Sequence, residues 1–275
     1  MSVLAFTACN DDENEATLST TQSLTLNLQG LKDLGTNYEY EGWMMVNGSP
    51  VSTGRFSVNA AGQFSTSTFV LNRSQLSSAT AFILTIEPKL NDNPAPSEVH
   101  IMAGNFNGNN GSASVAHSAA LGNDFSSAAG KYILATPTDG GSMDNEESGV
   151  WFLDNTSGSS IAGLNLPTLP AGWKYEGWVV FNNTPISTGT FTNVAAADSN
   201  AATSTFKGLI NNGPAFPGED FIQNAPTGIT FPTTLKGKTL VVSIEPFPDN
   251  SPAPFLLKPL VNTIPQKHLY IPHYQ

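Results

Sequence analysis

Four glutamates draw attention because they occur as two matched pairs. Glu41 lies in Tyr40-Glu41-Gly42-Trp43 and Glu87 in Ile86-Glu87-Pro88. Glu176 lies in Tyr175-Glu176-Gly177-Trp178 and Glu245 in Ile244-Glu245-Pro246. Two carboxylates brought together serve as an acid–base pair or as oxygen ligands for Ca²⁺. The competing reading is structural. A Glu-Pro at a strand end accepts backbone hydrogen bonds and fixes the next turn, while the Glu of Tyr-Glu-Gly-Trp lies on a solvated face. An active site rarely appears twice in one chain, whereas the features of a duplicated fold always do. The structural reading is therefore the expectation, and no residue is assigned a catalytic role.

The tryptophans divide in the same way. Trp43 and Trp178 recur and are expected in the core, as a buried Trp is in immunoglobulin-like sandwiches. Trp151 and Trp173 have no counterpart, and neither do Phe216, Phe221 and Phe231, which are spaced along the Gly-, Pro- and Asn-rich stretch 207–235. These five aromatics are the candidate ligand-binding residues, since a long loop in a compact domain is usually functional or disordered. The four histidines (His100, His117, His268, His273) show no zinc spacing. The loop bearing Asp139, Asp144, Glu146 and Glu147 lacks the alternation and glycine of an EF-hand. No nucleophile elbow, phosphate loop or dinucleotide fingerprint occurs. No metal or cofactor is expected.

The elements that must position these residues are duplicated too. Between Tyr40–Phe56 and Tyr175–Phe191, ten of seventeen positions coincide at an offset of 135 residues. Behind them Ile-Glu-Pro and Pro-Ala-Pro recur in the same order, at 86–96 and 244–254. Tandem duplication of one domain is the simplest source of two such blocks. Leu24, Leu26 and Leu28 alternate with polar residues, and runs over 38–46, 51–58, 63–71, 81–87 and 99–103 carry strand composition. Asn47-Gly48 between two such runs marks a hairpin. Copy two adds strand candidates at 132–136 and 150–153, and its Leu164-Asn165-Leu166 corresponds to Leu26-Asn27-Leu28. The expectation is an all-β chain of two tandem β-sandwiches, 23–105 and 126–265, joined by a linker over 106–125 and followed by a tail over 266–275.

Nineteen prolines and twenty-four glycines leave little room for long helices. The net charge of −11, with two arginines and nine lysines, excludes the basic surface that nucleic acid requires.

Cys9, the sole cysteine, follows the apolar segment Val3–Ala8 and precedes Asn10-Asp11-Asp12-Glu13-Asn14-Glu15. An apolar stretch, a small residue and then Cys resembles a bacterial lipobox, in which the thiol is acylated and becomes the mature N-terminus. The acidic tether behind it is similar to those of Bacteroidetes lipoproteins. Residues 1–8 are then the remnant of a signal peptide, and 9–22 a flexible tether. The competing reading is a solvated N-terminus with an incidental thiol. The aromatic-x-x-Trp strand, the Pro-x-Ser-x-Gly-x-Phe that follows, and the strand ending in Ile-Glu-Pro before a Pro-rich turn resemble the extracytoplasmic domain of anti-sigma-K factors. The likeness covers roughly 40–105 and again 175–260. It implies the β-sandwich fold and an envelope location; Cys9 with its tether, the duplication and the lack of a catalytic constellation point to a binding or sensing module held as an outer-membrane lipoprotein, periplasmic or surface-exposed. Three roles follow as expectations: a lipid-anchored, non-enzymatic module with an envelope protein or glycan as partner, a regulatory partner in sigma/anti-sigma signalling, and a carbohydrate binder or hydrolase using 207–235.

Overall fold

The computed structural model describes residues 19–141, 144–248 and 251–266. They form the expected all-β arrangement of packed antiparallel sheets. In the first half β1 (Thr21–Thr25), β2 (Tyr38–Val46), β3 (Ser49–Phe56) and β4 (Thr68–Asn72) precede a six-residue helix α1 (Arg73–Ser78). Then come β5 (Ala79–Pro88), β6 (His100–Asn107) and β7 (Asn110–Gly111). The large sheet has the order β3-β2-β5-β6-β7, and β1 and β4 pair above it.

The second half opens with short strands: β8 (Ala129–Gly130), β9 (Ile133–Leu134), β10 (Gly149–Trp151), β11 (Leu153–Asp154), β12 (Ile161–Ala162) and β13 (Leu164–Asn165). Behind them come β14 (Trp173–Phe181), β15 (Thr184–Phe191), β16 (Gly218–Asp220), β17 (Thr239–Pro246) and β18 (Leu257–Thr263). Its main sheet, β15-β14-β17-β18, repeats β3-β2-β5-β6 strand for strand, and β16-β10-β9 lies above it.

The conserved spacing within the two copies has a local cause, a shared β-bulge. Gly42 pairs with Gly54 and Trp43 with Ser52, so Thr53 is the extra residue; Gly177, Gly189, Trp178, Ser187 and Thr188 repeat this arrangement. The bulge turns Thr53 and Thr188 inward, where both are buried. Each threonine Oγ1 lies where a side chain on the facing Gly42 or Gly177 would begin, and a Cβ added there would also fall 2.9 Å from the Phe82 ring or 2.8 Å from the Phe152 ring. The chain leaves the bulge through Gly54 at φ 120° and Gly189 at φ 109°, a backbone that glycine adopts without strain. Gly-Trp on one strand and Ser-Thr-Gly on the next are thus two halves of one device. Each hairpin closes on two left-handed residues, Asn47-Gly48 and Asn182-Asn183, the type I′ geometry that matches strand twist. Pro50 and Pro185 sit on β3 and β15, edge strands on which a missing N–H removes no ladder bond.

Bulging also sorts the faces. Tyr40, Met44 and Val46 enter the main core with Phe56, Phe69, Leu84 and Ile101. Trp43 points to the opposite face, where it joins Ile83, Ala103 and Ala120. Trp43 is therefore buried as expected, although outside the space between the two sheets. Residues 106–125 do more than link the halves. They complete β6, form β7, bridge Ala103 to Ser114, and lay Ala119 and Ala120 over Trp43. Most of the buried apolar residues of both halves belong to one contiguous cluster, and the Trp43 group forms a smaller second one.

Candidate functional site

Both glutamate pairs turn out to be internal. Glu41 is 4% exposed and Glu176 7%, so neither lies on a solvated face. Ser52 and Ser187 donate to their respective carboxylates, and Glu41 also meets Arg55 Nε at 2.8 Å. Glu87 accepts from the Thr85 hydroxyl and, at 2.9 Å, from the Ser97 backbone N–H. Glu245 accepts from the Ser243 hydroxyl and, at 2.8 Å, from the Phe255 N–H. The same hydroxyls receive the indole N–H of Trp43 (2.9 Å) and Trp178 (2.8 Å). Each half therefore carries a Trp–hydroxyl–Glu chain that clamps the turn after its third long strand. Burial raises the carboxyl of Glu87 above its ordinary range, against the hydrogen bonds it accepts. The carboxylates of Glu41 and Glu87 accept from different donors.

The five candidate aromatics are packed into the second half. Trp151, 2% exposed, donates its Nε1–H to Asp220 Oδ1 at 2.7 Å, and its ring lies against the Cα atoms of Gly213 and Gly218. Trp173, 3% exposed, faces Phe255 with ring centroids 6.1 Å apart. Phe221 is buried and Phe231 half-buried. With Phe181 and Phe206 they form one aromatic cluster with centroid distances of 5.2–6.1 Å. Phe216 is half-buried. The 207–235 stretch is packed down on its own phenylalanines, and a ligand stacking on these rings would have to displace protein.

That insertion also holds chemistry to which no sequence motif pointed. Asp198, Glu219 and Asp220 are all buried. Asp220 accepts from the Thr138 N–H (2.8 Å), the Thr138 hydroxyl and Trp151. Asp198 accepts from Gly218 N–H at 3.0 Å, and Asn200 reaches Glu219 Oε2 at 3.4 Å. Burial pushes Glu219 up to about 8 and Asp220 up to about 6, and raises Asp198. Strand register places Glu219 where the first half has Phe69: Phe69 pairs with Leu24 on β1, and Glu219 with Val150 on β10. Phe69 packs on the bulge glycine Gly54, whereas Asp198 and Asn200 pack on Gly189. An aromatic plug has been exchanged for a set of acids. Among the described residues no group of three or more His, Cys, Asp or Glu is disposed to hold a metal ion.

Three carboxylates of the acidic loop are occupied. Glu146 accepts from Thr136 N–H (3.0 Å), Glu147 pairs with Lys236, and Asp139 accepts from Gly141 N–H (3.1 Å). His100 meets the Ala119 carbonyl (2.8 Å), and His117 Nδ1 accepts from Ala119 N–H. Cys9, His268 and His273 lie outside the described residues, as do the signal remnant 1–8, the first part of the tether and residues 267–275 of the tail.

A groove of about 430 Å³ lies in the first half. Leu24–Leu28 form one wall, Gly104–Phe106 and the hairpin Asn109–Ala113 the other, and Phe82 lines it as well. No lining residue is charged. Asn27, Asn105, Asn109 and Asn110 give it amide donors and acceptors, while Leu24, Leu26 and Phe106 give it apolar contact. A smaller hollow of about 170 Å³ lies in the second half against Phe152, Leu240 and Leu260.

No known protein family matches the chain, and no curated protein or solved structure is similar to it.

Proposed function

We propose that the protein is a lipid-anchored cell-envelope module that binds or senses a partner without enzymatic action, and that the groove of the first half receives that partner. The supporting observation is one of subtraction. The polar residues shared by the two copies are consumed by the bulge and the Trp–hydroxyl–Glu clamp, while the groove beside Leu24–Leu28 is open, uncharged and present at full size in one half. Attachment rests on the lipobox-like segment before Cys9, and envelope placement on the likeness to anti-sigma-K extracytoplasmic domains. None of the helices among the described residues is long and apolar enough to cross a membrane. Involvement in sigma/anti-sigma signalling rests on that likeness alone. Carbohydrate binding through 207–235 is the weaker reading, because Phe221 is buried and Phe231 packs against it and Phe181.

Metabolic labelling of the native host with a palmitate analogue tests the anchor. Label is expected on the wild type and absent from Cys9→Ala, which should leave the membrane fraction; label persisting in the variant refutes the anchor. The binding reading predicts that envelope extract shifts backbone amide resonances of Thr25, Asn27 and Asn105 and leaves those of β17 in place.

A further inference from the structure

One of the differences between the two halves lies at the groove. β4 and β16 each follow the bulged hairpin and pack beside its second strand. β4 pairs with β1 so that Leu26 N–H donates to Ser67 O at 2.8 Å; β16 pairs with β10 so that Phe152 N–H donates to Pro217 O at 2.9 Å. β1 and β10 therefore hold the same place. In the second half the far edge of β10 is covered by β9, with Leu134 opposite Val150, Ile133 opposite Trp151, and Ala135 N–H donating to Gly149 O at 3.3 Å. In the first half no described strand pairs with the far edge of β1.

Backbone alternation then decides which groups are left over. Leu26 faces β4, so the N–H and C=O groups of Ser23, Thr25 and Asn27 face outward, and Thr25 and Asn27 line the groove. An uncovered edge of this kind is a template for another strand.

We infer that the first half binds an extended segment of a separate polypeptide, which adds antiparallel to the outer edge of β1 and fills the slot that β9 fills in the second half. This rests on the groove being the binding place. The occupant's chemistry is read from β9 and its flanks: Tyr132-Ile133-Leu134-Ala135-Thr136 is uncharged and mainly apolar, as suits a groove without charged lining. Leu24, Leu26 and Phe106 would take its apolar side chains, and the asparagines of the 105–110 hairpin its exposed polar groups.

The test uses the intact protein and a labelled peptide of the sequence Ala129–Pro137. Fluorescence anisotropy should show saturable binding, and hydrogen exchange at Thr25 and Asn27 should slow. Methylating the peptide's Ala135 nitrogen, which faces β1, should weaken binding by about tenfold or more. Methylating its Leu134 nitrogen, which faces away, should change it by less than about threefold. Thr25→Pro in the protein should abolish binding while leaving the melting temperature near wild type, since that N–H serves no ladder bond. Equal effects of the two methylations would overturn strand addition, and so would absence of binding at about 1 mM peptide. If neutral oligosaccharides shift the groove amides while the peptide does not, the strand is refuted and the binding role of the groove stands. If neither shifts them, both are refuted.

Discussion

Glu87 and Glu245 show how a carboxylate that looks catalytic can be consumed by architecture. Each accepts from a hydroxyl two residues back and from an N–H ten residues ahead, so removing it strands buried donors. Glu87→Ala and Glu245→Ala are each expected to lower unfolding free energy by about 2–3 kcal/mol, read from urea denaturation. Glu219 behaves differently, because its folded pKa is raised from 4.5 to about 8 by burial among Asp198 and Asp220. The native state then holds a proton that the unfolded chain has released. Stability from this group is complete below pH 4.5 and is lost as pH climbs to about 8. Asp220 adds a loss between 3.8 and about 6. Glu219→Gln, which keeps the protonated shape, should flatten the fall in melting temperature between pH 6 and 9 and exceed the wild type at the upper end.

Within the hairpin, the bulge makes opposite forecasts for neighbouring residues. A methyl group at Gly42 or Gly177 would run into Thr53 or Thr188 and into a phenylalanine ring. Gly42→Ala and Gly177→Ala should each destabilise by roughly 1–3 kcal/mol. The two threonine hydroxyls are buried and have no hydrogen-bond partner. Thr53→Val and Thr188→Val keep the shape and remove an unmet polar group, so they should be neutral or stabilising by about 1 kcal/mol. Thermal melts of the four variants separate a bulge held by shape from one held by hydrogen bonding.

Across the whole molecule, the single contiguous core argues that the halves unfold together. Calorimetry should show one transition, with van't Hoff and calorimetric enthalpies in agreement. Phe221 sits in the aromatic cluster of the insertion, fully buried. Phe221→Ala should cost about 3–5 kcal/mol and lower the melting of the entire chain. Two separated transitions, the lower one alone moved by Phe221→Ala, would refute a shared core.

Duplication, the all-β class, the Asn47-Gly48 turn and the first half's strands were legible in the sequence, because strand period and turn chemistry are properties of neighbouring residues. The turn-fixing role of Glu87 and Glu245 was legible for the same reason. Three matters were settled by tertiary structure. Local alternation says that Glu41 and Tyr40 face opposite ways, but Ser52 and Arg55 of the next strand take up the Glu41 carboxylate, and Ala119 and Ala120, some seventy-five residues away, cover the neighbouring Trp43. The pairing of Leu164 with Leu26 misled, because the strand in the place of β1 is β10, and the β11–β12 hairpin intervenes before Leu164. Asp198 meets the Glu219-Asp220 strand through the Gly218 N–H, twenty residues on, and Asp220 finds its donors Trp151 and Thr138 only across 69 and 82 residues of chain. A chain announces its period through adjacent side chains, whereas the partner across a sheet or above it depends on long-range closure, which spacing alone does not encode.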